Sequence, residues 1–301
     1  MELIFLGTGG SWPSKDRNVA SVALRIGSDI LIFDCGEGTQ RQLMLSQISF
    51  MKINKIFISH FHGDHFLGLP GLIQSMALNN RKALLEIYGP KGTSKLLKTL
   101  LTLGYFTPTF KVKVFDLKGA NEILRFDSYF ITACQAEHNV PALAYAVEEY
   151  AKPGRFNVKK AKALGIPEGP LYRKLQNGET IYIGNKKITS KMVLGKPRKG
   201  RKIVYANDTK PCENIIKIAK NCDVLIHDAT VSKELEKKAN KFGHSSATQA
   251  AEVAKSANAR VLFLIHFSPR YKSTNILEAE AKKVFPNSIA ARDFMVYEVR
   301  V

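Results

Sequence analysis

The residues with the clearest chemical potential lie in one short segment, where four side chains that can bind a metal ion occur within six positions. The segment His60-Phe61-His62-Gly63-Asp64-His65 follows a strand-like run at residues 55–58. Imidazole and carboxylate donors together suit Zn²⁺ and similar divalent ions. A glycine in the middle lets the backbone turn tightly enough for donors on both sides to converge. The spacing therefore predicts a metal site and disfavours a histidine-rich surface loop.

Further candidate ligands lie at the ends of other predicted strands. His138 follows the strand-like run at residues 130–136, and His266 follows the strongly apolar run at residues 261–265. Asp208 follows a third run, at residues 203–206. A single histidine at a strand end is more often structural. Because side chains at one edge of a sheet can meet in one site, the metal motif reverses that expectation for His138 and His266.

Runs typical of strands and helices occur in both halves of the chain. Strands are predicted at residues 3–6, 21–26, 30–33, 55–58, 85–88, 112–115, 130–136, 143–147, 203–206, 224–228, 261–265 and 295–301. Helices are predicted at residues 39–47, in the C-terminal part of residues 65–79, and at residues 92–103, 214–220, 245–256 and 276–284. This pattern predicts an α/β (α+β) protein in which two similar halves, each a sheet with helices, pack sheet against sheet.

The charge is strongly positive and unevenly distributed. The formal net charge is +19, which favours a polyanionic partner such as nucleic acid or an anionic membrane surface. Residues 150–202 contain fifteen Lys or Arg and only two Glu, so they carry +13 of that charge. Their Gly and Pro content predicts an excursion from the main body of the chain, and we expect a single domain of residues 1–301 into which residues 150–202 are inserted. A generally basic composition, without nucleic-acid binding, remains the alternative reading of the charge.

The compartment is indicated by what the sequence lacks. The sequence contains no run of about 18 apolar residues, so no membrane span is predicted. The N-terminus is typical of a strand, not of a signal peptide. The four cysteines, Cys35, Cys134, Cys212 and Cys222, form no CxxC pair. Scattered cysteines argue against a disulfide framework or a cysteine zinc site, and they favour a cytoplasmic protein.

The metal motif and many other segments resemble a known family. The pattern HxHxDH resembles the signature of the metallo-β-lactamase superfamily, and the wider likeness is to RNase Z, the tRNA 3′-processing endoribonuclease. The segments that carry this likeness lie at residues 6–10, 13–18, 34–40, 65–72, 137–145, 165–172, 195–209, 227–230, 243–247 and 265–268. They cover nearly the whole chain in order. The resemblance implies a four-layer αββα metallo-β-lactamase sandwich with a protruding basic arm.

The resemblance also implies the roles of individual residues. One metal ion would be held by His60, His62 and His138, the other by Asp64, His65 and His266, and Asp208 would bridge the two. The expected cofactor is two Zn²⁺ per subunit, with Mn²⁺ or another divalent ion as the alternative. Asp64 would orient or deprotonate the nucleophile, and His244 would protonate the leaving oxygen. His227 and Asp228 would hold a metal ligand or His244 in place.

The implied substrate is precursor tRNA. The implied reaction is hydrolysis after the discriminator nucleotide, leaving a 3′-hydroxyl on the tRNA and a 5′-phosphate on the trailer. Lys15 and Arg17 are candidate phosphate contacts, and Gly169 and Pro170 resemble the Gly-Pro motif of the family's RNA-binding arm. We expect the arm to follow an RNA backbone by charge and shape. The resemblance further implies a homodimer with no membrane association.

Two departures from the family pattern and two rival functions remain. Ala206-Asn207 stands where Ser-Gly is more usual, and Asp228 stands where Glu is commoner, although neither change removes a ligand. One rival is a hydrolase of small molecules, such as a phosphodiesterase or an arylsulfatase-like enzyme, with the same metal site. The other is a non-enzymatic nucleic-acid-binding protein with a degenerate metal site. The charge and the cytoplasmic signature disfavour a β-lactamase.

Overall fold

The structure, a computed structural model, describes residues 1–106 and 108–300. It divides the chain into two compact units. The larger unit comprises Met1–Glu148 and Arg201–Arg300, and the smaller comprises Glu149–Gly200. Within the described residues, no helix is both long and apolar enough to cross a membrane.

The chain up to residue 149 contains nine strands and four helices among the described residues. In chain order they are β1 (Glu2–Gly7), β2 (Ser21–Ile26), β3 (Asp29–Phe33), α1 (Thr39–Leu45), β4 (Lys55–Phe57), α2 (Gly63–Phe66), α3 (Leu69–Leu78), β5 (Leu85–Pro90), α4 (Thr93–Leu101), β6 (Val112–Leu117), β7 (Ala120–Arg125), β8 (Tyr129–Ala136) and β9 (Ala142–Glu149). A 3₁₀ helix lies at Phe50–Lys52.

The smaller unit is folded around an apolar cluster of its own. Its elements are α5 (Val158–Ala163), α6 (Pro170–Gln176), the hairpin of β10 (Ile181–Ile183) and β11 (Lys186–Ile188), and α7 (Ser190–Val193). The buried side chains of the cluster are Ala161, Ile166, Leu175, Ile181, Ile188 and Val193. The basic segment that the sequence marked as an excursion therefore has regular structure.

The rest of the larger unit adds five strands and four helices among the described residues. They are β12 (Lys202–Ala206), α8 (Glu213–Ile218), β13 (Val224–Asp228), α9 (Glu236–Lys241), α10 (Ala247–Ser256), β14 (Val261–Ile265), α11 (Asn275–Val284), β15 (Ser288–Ala290) and β16 (Val296–Glu298). A 3₁₀ helix precedes α9 at Lys233–Leu235.

Two seven-stranded sheets form the centre of the larger unit. Their strand orders are β16-β1-β2-β3-β4-β5-β6 and β15-β14-β13-β12-β9-β8-β7. Aromatic side chains join the facing sheets, with ring centroids 4.9 Å apart for Phe5 and Phe263 and 5.3 Å apart for Phe33 and Tyr205. Separate apolar clusters join each outer face to its helices. This arrangement confirms the predicted four-layer αββα sandwich.

The apolar pattern that predicts a strand is clearest in the central strands, and their parallel pairing and burial explain why. β13 pairs in parallel with both β12 and β14, and its residues are buried. A parallel strand that is covered on both faces requires a continuous apolar run. Val261–Ile265 is such a run, and it forms β14 as predicted.

Several elements differ from the prediction. The helix predicted in the C-terminal part of residues 65–79 is α3, a separate short helix, α2, precedes it, and the strand predicted at residues 295–301 is shortened to β16. Val301, at the end of that prediction, lies outside the described residues. β7, β15 and α9 were not predicted, nor were the helices and strands of the smaller unit.

Candidate metal centre and active site

The predicted ligands reach one place because each follows the end of a strand or begins a helix beside one. His60 follows β4, His138 follows β8, Asp208 follows β12 and His266 follows β14. Asp64 and His65 lie in the first turn of α2, directly after the same β4 segment. The carboxyl ends of parallel strands share one edge of a sheet, which makes that edge a natural place for a site.

Three residues around the site have a left-handed backbone. The φ angles are +57° at Asp34, +45° at Asp208 and +63° at His266. Each residue follows a strand, so the left-handed turn redirects its side chain away from the strand direction. Non-glycine residues adopt such angles at a cost of about 1–3 kcal/mol and cluster at functional sites. His266 also needs a glycine beside it, because a Cβ on Gly10 would lie 2.5 Å from its ring.

One group of donors comprises His60, His62, His138 and Asp208, whose candidate ligand atoms lie within 4.8 Å of one another. His62 Nδ1 lies 3.0 Å from His60 Nε2 and 3.2 Å from His138 Nε2. Asp208 Oδ2 lies 3.5 Å from His60 Nε2 and 3.9 Å from His138 Nε2. Three imidazoles and a carboxylate aimed at one point can hold a divalent ion.

A second group comprises Asp64, His65 and His266, whose donor atoms also lie within 4.8 Å of one another. Asp64 Oδ2 lies 3.4 Å from His65 Nε2 and 3.3 Å from His266 Nε2. Asp208 reaches this group as well, with Oδ2 3.4 Å from His65 Nε2 and Oδ1 3.0 Å from His266 Nε2. The carboxylate of Asp208 therefore lies between the two groups.

The donor atoms themselves fit divalent metal ions. His65 Nε2 and Asp208 Oδ1 are buried and have no hydrogen-bond partner among the described residues. The 3.0 Å separation of Asp208 Oδ1 and His266 Nε2 is thus a close approach without hydrogen-bond geometry. Burying unpaired polar atoms is costly unless another group, such as a metal ion, coordinates them. This observation and the His/Asp composition support divalent metal binding here.

The proton affinities of three histidines also suit metal binding. Burial lowers the pKa of His60, His62 and His138 below the usual value, and in each case this effect outweighs the pull of the Asp208 carboxylate. Neutral imidazole is the form that binds a metal ion. For His65, burial alone would lower the pKa, but the Asp208 and Asp34 carboxylates hold it well above the usual value. A divalent ion beside those carboxylates would compete with that proton.

Asp34 supports the centre from behind and was missed as a site residue. Its fully buried carboxylate accepts hydrogen bonds from Ser59 N at 2.6 Å, Ser59 Oγ at 2.8 Å and Tyr205 OH at 2.7 Å. His65 Nδ1 lies 2.8 Å from the same carboxylate. Because a carboxylate only accepts, Nδ1 carries the proton and Nε2 faces the metal centre. The segment at residues 34–40 carried the family likeness, but it gave no role for this aspartate.

His138 and His266 are oriented in the same way. His138 Nδ1 lies 2.9 Å from the backbone oxygen of Gly243. His266 Nδ1 lies 3.0 Å from Thr230 Oγ1, which donates to Asp228 Oδ1 at 2.6 Å. Hydrogen bonds of this kind fix the ring orientation of metal-binding histidines. Neither Thr230 nor the Gly243 carbonyl was predicted, because backbone oxygens and single threonines leave no pattern in the sequence.

His244 pairs with Asp228 beside the cluster. His244 Nδ1 lies 3.0 Å from Asp228 Oδ2, and the imidazole is partly exposed whereas the carboxylate is buried. Burial alone would lower the pKa of His244, but the Asp228 carboxylate outweighs it and raises that pKa to about 9. A histidine that is protonated at neutral pH and reaches solvent can donate a proton to a reacting group.

The remaining predicted residues lie apart from the cluster or are otherwise engaged. His227 is buried with Nδ1 2.9 Å from the backbone oxygen of Asp228, and within the described residues no hydrogen bond joins it to a candidate ligand or to His244. Arg17 donates to the backbone oxygens of Tyr271 and Lys272 at 2.7 and 3.1 Å. Lys15 is exposed.

Gly169 and Pro170 belong to the smaller unit. Gly169 has a φ of +129°, and Pro170 begins α6. Both residues are exposed. The Gly-Pro motif therefore marks the start of a short helix within the basic unit.

Comparison with known proteins relates the chain to one family over its whole length. It is 47% identical over 300 residues to "Ribonuclease Z" of Methanothermobacter thermautotrophicus, covering 100% of this chain and 97% of that protein. It is 41% identical over 306 residues to "Ribonuclease Z" of Bacillus licheniformis, covering 100% and 99%. A family model described as "Anti-Pycsar protein Apyc1" also matches residues 1–287.

Solved structures agree on the fold. The crystal structure of human tRNase Z, short form (ELAC1), superposes with a TM-score of 0.72 at 28% identity and covers 100% of both chains. The metallo-β-lactamase fold protein YhfI of Bacillus subtilis has a TM-score of 0.71 at 20% identity and covers 98% of both chains. The chain therefore has the metallo-β-lactamase fold.

Proposed function

Because the chain belongs to the ribonuclease Z family and is a metal-dependent endoribonuclease, we propose that it removes the 3′ trailer of precursor tRNA. The scissile bond is the phosphodiester after the discriminator nucleotide, which is the last nucleotide kept on the tRNA. The products are a tRNA with a 3′-hydroxyl and a trailer with a 5′-phosphate. The observation that carries the proposal is the convergence of seven His and Asp side chains, from both sheets, in two adjoining donor groups; Asp208 and His266 also form a third group, with Asp228 and His244.

The expected cofactor is two Zn²⁺ ions, with Mn²⁺ or another divalent ion as the alternative. His60, His62 and His138 would hold one ion, Asp64, His65 and His266 would hold the other, and Asp208 would bind both. Two divalent ions placed together neutralise charge on a phosphate and lower the pKa of water. The position of the Asp208 carboxylate between the donor groups supports the count of two.

Asp64 orients the attacking water. Burial alone would raise its pKa, but the neighbouring His266 and His65 imidazoles hold that pKa well below the usual value. Such a carboxylate is a weak proton acceptor at neutral pH. It accepts a hydrogen bond from Ser11 N at 2.6 Å, which fixes its position. We therefore assign Asp64 two roles, which are to hold the metal and to accept a hydrogen bond from the attacking water. We prefer these roles to removal of a proton from that water.

His244 is the general acid. As water attacks the phosphorus atom, the bond from phosphorus to the 3′-oxygen breaks, and His244 donates a proton to that oxygen. Its Nδ1 is engaged by Asp228, so Nε2 is the atom that faces the substrate. Asp228 keeps the ring oriented and favours its charged form. Aspartate thus fills at position 228 the role expected of the commoner glutamate.

The basic unit binds the RNA. Glu149–Gly200 contains thirteen Lys or Arg against three Glu. Lysine and arginine side chains neutralise phosphates without reading the base sequence. Gly169, Pro170 and the exposed Lys15 are further RNA-binding residues. Arg17 has a smaller share, since its guanidinium already holds two backbone oxygens.

The active form is a cytoplasmic homodimer. Met44 and Leu67 are 59% and 49% exposed and line one shallow depression with Gly38, Gln40, Arg41, Gly68 and Gly71. Exposed apolar side chains that adjoin in this way suit a protein interface. All four cysteines are free thiols, which supports a reducing compartment.

The proposal is tested with Asp64→Ala. This variant is expected to lose cleavage of a precursor tRNA while keeping its affinity for the RNA, because the metal centre fails but the basic unit is intact. The control is Asp127→Ala, which replaces an exposed aspartate in the turn between β7 and β8. Rapid turnover of bis(p-nitrophenyl) phosphate without any cut in the tRNA would favour a small-molecule phosphodiesterase. RNA binding by a metal-free wild-type protein that cuts neither substrate would favour a non-enzymatic binding protein.

A further inference from the structure

A cavity of about 320 Å³ adjoins His244 on one side of the metal centre. One wall is apolar and includes Val231, Leu235 and Ala239. Two cations, Lys238 and Arg270, lie on its rim and are exposed. The volume lies at the lower end of the range of about 300–1,000 Å³ for sites that bind small organic groups. It therefore suits one nucleoside better than a longer oligonucleotide.

Phe242 also lines this cavity and is 56% exposed. Its backbone N–H donates to the Ala239 oxygen at 2.9 Å, and the N–H of His244 donates to the same oxygen at 3.1 Å. The single turn after α9 therefore fixes the backbone positions of Phe242 and His244 relative to each other. A large apolar side chain left open to solvent beside a catalytic group is free to bind part of a substrate.

The chemistry of the reaction decides which nucleotide lies there. The oxygen that receives the proton from His244 belongs to the nucleotide kept on the tRNA. That nucleotide must consequently lie on the His244 side of the scissile phosphate. An aromatic face stacks on any base, and cations at the rim suit the phosphate that precedes the nucleotide.

We propose that this cavity binds the discriminator nucleotide, with its base stacked on Phe242 and its 5′-phosphate beside Lys238 and Arg270. The inference rests on the proposed function, and it names the interaction that sets the cut after this nucleotide. Stacking on an aromatic ring does not distinguish the four bases at that position.

The test combines a change in the protein with a change in the RNA. Precursor tRNA is prepared with a normal or an abasic discriminator nucleotide, and kcat/KM is measured for wild type and for Phe242→Ala. With the normal RNA, the variant is expected to lose about tenfold to a hundredfold, which is the range for one stacked base. With the abasic RNA, wild type and variant should agree within about twofold. Phe242→Trp should retain activity on the normal RNA.

Two controls separate this stacking interaction from general damage. Tyr105→Ala removes an exposed aromatic side chain that does not line the cavity, and it should leave kcat/KM unchanged. Turnover of bis(p-nitrophenyl) phosphate should be the same in Phe242→Ala and wild type, since that ester has no base. An equal loss on normal and abasic RNA, or no loss on either, would overturn the inference. If wild type does not cut precursor tRNA at all, the proposed function itself fails.

Discussion

Asp34 joins residues from distant parts of the chain by hydrogen bonds beside the candidate metal centre. Its carboxylate meets Ser59, His65 and Tyr205, which are 25, 31 and 171 positions away. Asn207 extends this network by donating to Tyr205 OH at 3.0 Å. A buried carboxylate with this many donors fixes the orientation of each partner. The position of His65 Nε2 therefore depends on side chains that lie outside the cluster of candidate ligands.

Asp34→Asn is expected to weaken metal binding. The amide nitrogen of asparagine cannot accept a hydrogen bond, so either the bond from Ser59 N to Oδ1 or the bonds from His65 and Tyr205 to Oδ2 are lost. Removing such a supporting hydrogen bond lowers metal affinity by about tenfold to a hundredfold. Competition with a chromogenic chelator measures the affinity. The control is Asp223→Asn. Asp223 directly precedes β13, and the candidate ligands lie near the other end of that strand. Unchanged affinity in Asp34→Asn would contradict the role given to Asp34.

The pH dependence of cleavage reports on His244 and Asp228. His244 must be protonated to act as the acid, so kcat should hold at neutral pH and fall as the pH rises through the pKa of His244, which is about 9. The Asp228 carboxylate raises this pKa, so Asp228→Asn should lower it and move the fall to lower pH. Single-turnover rates across the pH range measure the shift. An identical basic limb in both proteins would argue against His244 as the acid.

The sequence predicted the ligand candidates better than their supports. Histidine and aspartate at strand ends are visible locally, and the structure brings all seven together. Their binding of metal stays a prediction. Asp34 and Thr230 act through hydrogen bonds between separate strands, and such bonds are invisible without the fold. Asp228 was predicted to hold His244 and lies against it, whereas His227 faces a backbone oxygen instead.

Among the secondary-structure elements, sequence patterns failed where burial is slight or where the element is short. β7 is an edge strand with many exposed residues, and β15 has only three residues, so neither has an apolar run. α2 and α3 are separated at Gly68, whose N–H donates to the Cys35 oxygen at 2.9 Å. A Cβ at Gly68 would lie 2.1 Å from the Gly36 oxygen. That close approach fixes α2, and thereby Asp64 and His65, beside β3.

The start of α10 anchors the turn that carries His244. Ser246 caps this helix, with its Oγ accepting from Gln249 N at 3.1 Å and the Gln249 side chain accepting from Ser246 N at 3.1 Å. Ser245 Oγ donates to the Thr209 oxygen, next to Asp208. Helix formation and active-site geometry are therefore coupled at this point.

Ser246→Ala is expected to destabilise the protein. Loss of an N-cap serine costs about 1 kcal/mol of the free energy of unfolding. Chemical denaturation followed by circular dichroism measures the change. Ser256→Ala, at the exposed end of the same helix, should change this free energy little. Equal stability of wild type and Ser246→Ala would show that the cap contributes nothing.

At the scale of the whole molecule, charge and chemistry are divided between the two units. The larger unit contains every candidate ligand, and the smaller carries thirteen of the 45 Lys and Arg side chains on about a sixth of the chain. The positive segment was visible in the sequence. Its small apolar cluster was not, because its helices and strands have three to seven residues each, too few to show a clear period.

Replacing residues 149–200 by a short Gly-Ser turn separates the two functions. The junction is feasible because Glu148 and Lys202 are paired residues of adjacent antiparallel strands. The shortened protein should still hydrolyse bis(p-nitrophenyl) phosphate. Its affinity for precursor tRNA should fall, and the slope of log affinity against log salt should become shallower by about 0.7–0.9 for each phosphate that is no longer neutralised. An unchanged slope would remove this unit from RNA binding.

The His and Asp cluster is expected to perform metal-dependent cleavage at the 3′ end of tRNA. The most direct measurement is mapping of both new ends of a precursor tRNA, with wild type before and after chelation and with Asp208→Ala. We predict one cut after the discriminator nucleotide, giving a 3′-hydroxyl and a 5′-phosphate. The cut should be lost on chelation and in the variant, and Zn²⁺ or Mn²⁺ should restore it in wild type. A cut that survives chelation, or one that leaves a 2′,3′-cyclic phosphate, would contradict metal-dependent hydrolysis by this cluster.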